Sequence, residues 1–336
     1  MPVTHQQIAE KLGISRSVVT LALHRSHGAR IHPETRRGIV DAAHKLGYRP
    51  RTLTTHTIGY AVPVEELKLL GESSILIHVE TALRRHGYRP VLVDLNVKTR
   101  HLQEQLNHKT VDGVLFLRWQ EGRVLNLLSA EVPWILMSDE IGEMEGVDLV
   151  TADLRETVVS LVRYLAERGH QRICMITGLL EVNFHRRLWD ATLACYAELG
   201  LPLPNASVID EVDHLLEPAL LFSLRSDSPP TAFITTSPEK TVTVLNLLCR
   251  NGYRVPEDIS VASLFDLPLY ESLRPLLTAT TAMGANIALQ AVTRLIEKIT
   301  LPASPAQLTR LPGTIIERDS VRKIGPSQLQ AKKENL

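Results

Sequence analysis

Beyond residue 56 the chain alternates short apolar runs with longer stretches in which apolar residues recur every three or four positions. The short runs predict buried β-strands, and the amphipathic stretches predict helices that cover them. The predicted strands are 58–62, 90–94, 113–117, 134–138, 173–177, 231–236 and 259–263. The predicted helices are 75–86, 157–168, 188–199, 241–251 and 287–299. This alternation predicts an α/β fold of parallel sheets flanked by helices.

The length of this region predicts two lobes, because a single hydrophobic core rarely serves more than about 250–300 residues. We predict one two-lobed domain over 58–320, with lobes at roughly 58–150 and 151–320. The remaining residues, 321–336, are polar and have too few apolar heptad positions for a coiled coil. We therefore predict a disordered tail there.

The first 50 residues carry a different pattern, that of three short helices. Thr4 and Gln7 form a capping box, the sequence signal that starts a helix, and Gly13 ends that helix. Ser15 begins a second helix, and Pro33 a third that runs to residue 47. Two short helices around a glycine turn predict a helix-turn-helix DNA-binding domain over 1–50. A three-helix packing unit without DNA contacts is the alternative.

Charge separates this head from the rest of the chain. Residues 1–56 carry nine Lys or Arg against three Asp or Glu, a net charge of +6, whereas the rest carries −6. A basic head on an acidic body is typical of a protein that contacts the phosphate backbone. A solvated surface without a partner would produce the same asymmetry, so the charge gains its meaning from the motif beside it.

Specific runs of residues resemble the lactose-repressor (LacI/GalR) family of transcription regulators. In the head these are residues 3–20, VTHQQIAEKLGISRSVVT, with 33–37, PETRR, and 46–50, LGYRP. In the body they include 168–173, RGHQRI, 252–261, GYRVPEDISV, 274–278, RPLLT, and 316–320, IERDS. The resemblance implies a helix-turn-helix domain followed by a periplasmic-binding-protein-like (type I) domain, with a ligand cleft between two Rossmann-like lobes.

The resemblance also implies which head residues face DNA. The equivalents of Arg16, Ser17 and Leu21 face the major groove in that family. Leu21 departs from the usual arginine, and an apolar side chain suits a thymine methyl group better than guanine. The predicted DNA-contacting residues are Thr4, Ser15, Arg16, Ser17, Thr20, Leu21, His24, Arg25 and Arg30.

The implied effector site departs further from the family pattern. Asp153 and Arg187 fall on effector-contacting positions, although a structural salt bridge explains Arg187 equally well. Ser237 stands at the start of the family's Asn-Asp pair, and Phe265 replaces one acid beside Asp266. A sugar site needs several converging polar groups, because an unpaired buried hydroxyl costs about 1–3 kcal/mol. We expect an effector more apolar than a sugar, or none.

The linker is shorter than the resemblance implies. Relatives place a hinge helix there, which enters the minor groove with a leucine. Here 51–57 is only seven residues long and rich in threonine, too short for a two-turn helix with its connections. We predict that Leu53 packs on the body; a wedge in the minor groove is the alternative.

These features together predict a transcription regulator, most simply a repressor, that binds a pseudo-palindromic operator in double-stranded DNA as a homodimer. A small-molecule effector is the further predicted partner. A solute-binding protein of a transporter and a Rossmann-type enzyme are the alternatives, but neither an export pattern nor a nucleotide fingerprint is visible. No catalytic residue, cofactor, metal site or membrane segment is predicted, and we expect a cytoplasmic protein.

Overall fold

Two sheets organise the body in the computed structural model of the chain. The structure describes residues 3–23, 31–46, 48, 55–68, 70–107, 110–117, 132–138, 146–203, 208–209, 213–282, 284–302 and 304–325. The chain divides into two compact units. The first is Met1–Leu67, Leu76–Thr151 and Ala285–Thr309, and the second is Lys68–Ile75, Ala152–Gly284 and Arg310–Leu336. Below, "head" means residues 3–48, and "lobe 1" means the remainder of the first unit.

The head forms the three predicted helices, α1 (His5–Leu12), α2 (Arg16–Leu23) and α3 (Pro33–Leu46). The Thr4–Gln7 capping box is present, with both reciprocal contacts. Gly13 follows α1 at φ 66°, a left-handed conformation that glycine adopts without steric cost. One apolar cluster fills the head, and it includes Ile8, Val19, Ile39 and Tyr48. The predicted three-helix unit is confirmed.

Lobe 1 is built on a sheet with the strand order β11-β5-β4-β3-β1-β2. Strands β1 to β5 pair in parallel, as the alternation predicted. The strands are β1 (Thr57–Val62), β2 (Arg89–Asp94), β3 (Gly113–Phe116), β4 (Trp134–Leu136), β5 (Leu149–Asp153) and β11 (Leu308–Pro312). The associated helices are α4 (Leu70–Arg85), α5 (Thr99–Gln105) and α10 (Ala285–Thr300), with a 3₁₀ helix at Val64–Lys68.

The second unit is built on a sheet with the order β12-β10-β9-β8-β6-β7, parallel except for β12. Its strands are β6 (Ile173–Ile176), β7 (Val208–Ile209), β8 (Ala232–Thr235), β9 (Ser260–Ser263), β10 (Thr278–Thr280) and β12 (Ile315–Ile316). Its helices are α6 (Leu154–Glu167), α7 (Asn183–Leu199), α8 (Asp213–Leu224) and α9 (Pro238–Arg250), with a 3₁₀ helix at Pro268–Glu271. No helix in the described part of the chain is long and apolar enough to span a membrane.

Two of the predicted boundaries need correction. The lobes are not the contiguous halves 58–150 and 151–320, because Ala285–Thr309 returns to the first unit. There α10 packs on β3, with Leu295 and Ile299 so close to Gly113 that a β-carbon would stand 3.0 and 3.1 Å from them. The predicted tail also begins too early, since Ile324 is buried and its amide donates to Arg168 O at 2.8 Å. Residues 326–336 lie outside the described part.

Candidate nucleic-acid interface and effector surface

The second helix of the head separates an apolar face from an exposed one. Val19, Ala22 and Leu23 are buried, whereas Arg16 and Ser17 are exposed. Leu21 is also exposed, at 37% of its surface. Ser15 caps the helix, its Oγ accepting from Val18 N at 3.4 Å and lying 2.9 Å from Ser17 Oγ. The outward face of α2 therefore carries a guanidinium, a hydroxyl and an apolar side chain.

Two other predicted DNA-contacting residues serve the head's own structure. Thr4 caps α1, and Thr20 Oγ1 donates to Arg16 O at 2.9 Å. His5 Nδ1 lies 2.9 Å from Thr20 Oγ1, and its Nε2 hydrogen-bonds the Tyr48 hydroxyl. Because Thr20 already donates its proton, His5 donates from Nδ1 and accepts at Nε2 from Tyr48. The His5–Tyr48 contact ties the two ends of the head together, and no sequence motif pointed to it.

Three predicted residues lie outside the described part of the head: His24, Arg25 and Arg30. Their predicted DNA contacts therefore stay predictions.

In the second unit, two of the predicted effector residues cap helices. Asp153 stands before α6, and its Oδ1 accepts from Glu156 N at 3.0 Å. Ser237 stands before α9, and its Oγ accepts from Lys240 N at 3.2 Å. Pro238 occupies the first turn of α9, where a missing N–H costs nothing. Each side chain thus satisfies a helix N-terminus, a role that the sequence analysis did not assign to them.

Asp266 has a stronger internal partner. Its two carboxylate oxygens accept from Arg318 Nη1 and Nη2 at 2.8 and 2.9 Å, in a fork-to-fork pair. The Arg318 side chain is only 10% exposed, and the neighbouring carboxylate raises its pKa. Phe265, the residue before it, is half-buried and bridges Thr281. Asp266 is therefore a structural anion as much as a candidate ligand contact.

Hydroxyl side chains at the same edge of the second sheet bond to one another. Thr235 and Thr241 lie 2.6 Å apart through their Oγ1 atoms, and Thr241 Oγ1 lies 3.1 Å from Ser263 Oγ. Ser263 Oγ in turn lies 3.3 Å from the Tyr270 hydroxyl. All four residues are buried. The hydroxyl groups with which a sugar would form hydrogen bonds are already bonded to one another here.

A second chain of hydrogen bonds ends at His185, a residue that the sequence analysis missed. Thr236 Oγ1 donates to Thr177 Oγ1 at 2.9 Å, and Thr177 Oγ1 lies 2.9 Å from His185 Nδ1. The ring covers Gly178 so closely that a β-carbon there would meet Nε2 at 2.2 Å. Burial, and the charge of Lys240, lower the pKa of His185. The chain of hydroxyls needs the neutral imidazole, because only that form accepts at Nδ1.

The predicted effector residues do not share one described pocket. A pocket of about 250 Å³ between α6 and α7 includes Asp153 but not the other four. Its walls also carry Arg163, whose Nη2 lies 2.9 Å from Glu198 Oε1. Arg187 is exposed on α7. Among the described residues, no three His, Cys, Asp or Glu side chains are grouped closely enough to hold a metal ion.

Known proteins resemble the chain along nearly its whole length. Residues 162–321 match the family model described as a periplasmic binding protein-like domain. Catabolite control protein A of Priestia megaterium is 24% identical, over 92% of this chain and 97% of that protein. The regulator AglR of Rhizobium meliloti is 27% identical, over 86% of both chains. Over nearly its whole length the chain is therefore similar to transcriptional regulators of the LacI family.

The fold of this chain also matches solved structures. A structure described as the transcriptional regulator CelR–cellobiose complex covers 95% of this chain and 99% of its own, with a TM-score of 0.66 and 23% identity. At that identity the match speaks for the fold alone. The predicted fold class and the resemblance to LacI-family regulators are confirmed, and a transporter's solute-binding protein is not favoured.

Proposed function

We propose that this regulator acts as a homodimeric repressor, each head placing α2 in the major groove of one half of a pseudo-palindromic operator. The exposed face of α2 carries this proposal, since Arg16, Ser17 and Leu21 point outward from a well-packed head. A net charge of +6 on residues 1–56 favours phosphate contact, and the relatives named as repressors support the direction of control. Its place of action is then the cytoplasm, where the operator is.

Within that proposal, the three side chains divide the work of recognition. Arg16 matches the paired acceptors of guanine, and the dipole of α2 adds attraction for a phosphate near Ser15 and Ser17. Leu21 offers only apolar surface, for which the thymine methyl is the natural partner in the major groove. The protein therefore selects its operator by one polar and one apolar contact in each half-site.

The effector of this regulator, if it has one, binds without the converging polar side chains of a sugar site. Asp266 is paired with Arg318, Ser237 and Asp153 cap helices, and Phe265 replaces an acid. A carbohydrate would have to break these contacts or leave its own hydroxyls unpaired, at about 1–3 kcal/mol each. We therefore propose an effector poorer in hydroxyl groups, and no catalytic role.

Selection of bound fragments from random double-stranded DNA tests the DNA-binding proposal. The expected result is a two-fold symmetric consensus, bound by a dimer in sedimentation and lost progressively as salt rises. Repeating the selection with Leu21→Arg should replace thymine by guanine at one position of each half-site. A chain that selects no consensus would contradict the proposal, and ligand binding without DNA binding would favour the solute-binding alternative.

A further inference from the structure

The end of the linker is fixed to lobe 1 by a single carboxylate. Asp112 lies just before β3, and its Oδ1 accepts from Thr55 N at 2.6 Å and from Thr55 Oγ1 at 2.9 Å. Its Oδ2 accepts from His56 N at 2.9 Å. His56 has a φ of 49°, a left-handed conformation that a non-glycine residue adopts only when its surroundings hold it. Residues 55 and 56 are therefore held against lobe 1 just before the first strand, β1.

The head packs against this same end of lobe 1. Leu301, the residue after α10, is buried in the head's apolar cluster together with Ile39, Ala43 and Tyr48. Its amide donates to Glu297 O at 2.7 Å, so α10 holds it in place. From Tyr48 to Thr55 the chain can span at most about 25 Å. Both observations place the head at the edge of lobe 1 where β1, β2 and β3 begin.

A basic patch occupies that edge beside the linker. We define it as Arg85, in the last turn of α4, and Arg89, the first residue of β2; both are exposed. Arg89 N donates to His56 O at 2.7 Å, and its Nη2 donates to Thr57 Oγ1 at 3.3 Å. Among the described residues neither arginine makes an ion pair, whereas the neighbouring Arg84 pairs with Glu80 at 3.1 Å. The Asp112 carboxylate is already occupied by Thr55 and His56.

We propose that this patch is a second DNA contact, which binds the sugar-phosphate backbone of the operator's central segment. The inference rests on the proposed operator binding. With the heads in two major grooves, lobe 1 of each protomer faces the DNA between the half-sites. A guanidinium matches two phosphate oxygens at once and stays charged at any physiological pH. The patch thus contributes affinity where relatives insert a hinge helix, and it reads no base.

Salt titration of operator binding tests this contact with the full-length chain. The slope of log K against log salt is about −0.9 for each phosphate neutralised. Arg85→Gln with Arg89→Gln removes two contacts per protomer, so the dimer's slope should become shallower by about three to four, with affinity at moderate salt falling about tenfold or more. The ranking of operator variants should not change, because phosphate contacts carry no sequence information.

The matched control is Arg225→Gln with Arg250→Gln, which removes the same charge from exposed positions in the second unit. That pair should leave the slope unchanged. Arg85→Gln alone, which leaves the Arg89–Thr57 contact intact, should account for about half of the effect. Equal slopes for wild type and the patch variants, or an equal change in the control pair, would overturn the inference. A wild-type chain that binds no operator would instead refute the proposed function, which the first titration reveals.

Discussion

The outward face of α2 was predicted to bind DNA, and Ser237 and Asp266, which lie at the edge of the second sheet after β8 and β9, were predicted to bind an effector; the two regions are built differently. On α2, Arg16, Ser17 and Leu21 are exposed. At the sheet edge the polar side chains are engaged with the protein itself: Asp266 with Arg318, and the buried hydroxyls with one another. A side chain that projects from a packed helix is available to contact a partner. A side chain inside a hydrogen-bond network cannot change partners without loss of stability.

The difference teaches that residue type alone does not mark a binding site. Aspartate and serine occur at family effector positions here, but helix capping and ion pairing explain them. If this comparison is right, mutations at the sheet edge will cost stability, and mutations on α2 will cost DNA binding and little else.

The largest effect should come from Asp266→Ala, which leaves the Arg318 guanidinium nearly buried without its carboxylate. Breaking such a pair should destabilise the second unit by about 3 kcal/mol. Arg254→Gln is the control, because this guanidinium is 71% exposed and its ion pair with Asp258 should contribute little to the free energy of unfolding. Urea unfolding measures both. Equal midpoints for Asp266→Ala and wild type would show that Asp266 is free for a ligand after all.

Arg16→Ala tests the outward face of α2, where we expect a loss of DNA binding without a loss of stability. The specific operator should bind about 2 kcal/mol more weakly, roughly thirtyfold, because a bidentate guanine contact is lost. The melting temperature should stay unchanged, since the side chain is exposed. Arg37→Ala removes the same charge from α3 and should weaken specific and non-specific DNA alike. If Arg16→Ala behaves like Arg37→Ala, then Arg16 contacts only phosphate.

Acid should weaken the second unit through His170, which is fully buried between Thr231 and Arg322 O. Burial lowers its pKa to about 4. An unfolded histidine takes up a proton near pH 6.5, so the stabilising effect of keeping the ring neutral is complete above that pH and is lost as the pH falls towards 4. From pH 7.5 to 5.5 the unfolding free energy should drop by about 1.4 kcal/mol.

His185 adds to this loss in the same direction, because its pKa is also lowered. Urea unfolding at the two pH values measures the sum. The variant His170→Gln, which cannot titrate, should show a smaller drop than wild type. An identical drop in both proteins would remove His170 from the explanation.

The last prediction is that no effect will be seen. Hexoses and pentoses at sub-millimolar concentration should not raise the melting temperature of the chain. A ligand that binds only the folded state raises it in proportion to the logarithm of its concentration. A clear, concentration-dependent rise in melting temperature with any of these sugars would contradict the comparison. It would mean that the hydrogen-bonded side chains at the edge of the second sheet exchange their partners for sugar hydroxyls.

The sequence predicted local elements well and side-chain partnerships poorly. Periodicity located every helix of the head and seven of the strands, because those signals depend on neighbouring residues. It missed the short helix α5 and the strands β5, β7, β10, β11 and β12. It also missed α8, whose apolar residues surround the helix and include the exposed Phe222. A helix that is apolar on all sides has no periodic signal.

At the candidate sites, too, the sequence predicted the local features and missed the long-range contacts. The cap at Ser15 follows from its position before α2, but the Asp266–Arg318 pair joins residues 52 positions apart, and nothing local announces it. The contact of Leu301 with the head was equally beyond a local pattern, since α10 had been assigned to the wrong lobe. Long-range packing decided which polar groups remained for a partner.

The return of α10 to the first unit affects when that unit can finish folding during synthesis on the ribosome. Asp148 is buried, and its carboxylate is held by Arg294 Nε at 2.7 Å and Lys298 Nζ at 2.9 Å. At about 5–20 residues per second, these cations follow the aspartate by roughly 7–30 s. Throughout that interval the nascent first lobe has strands without their covering helix. A nascent-chain chaperone therefore has an extended window at the part of the chain that also carries the head.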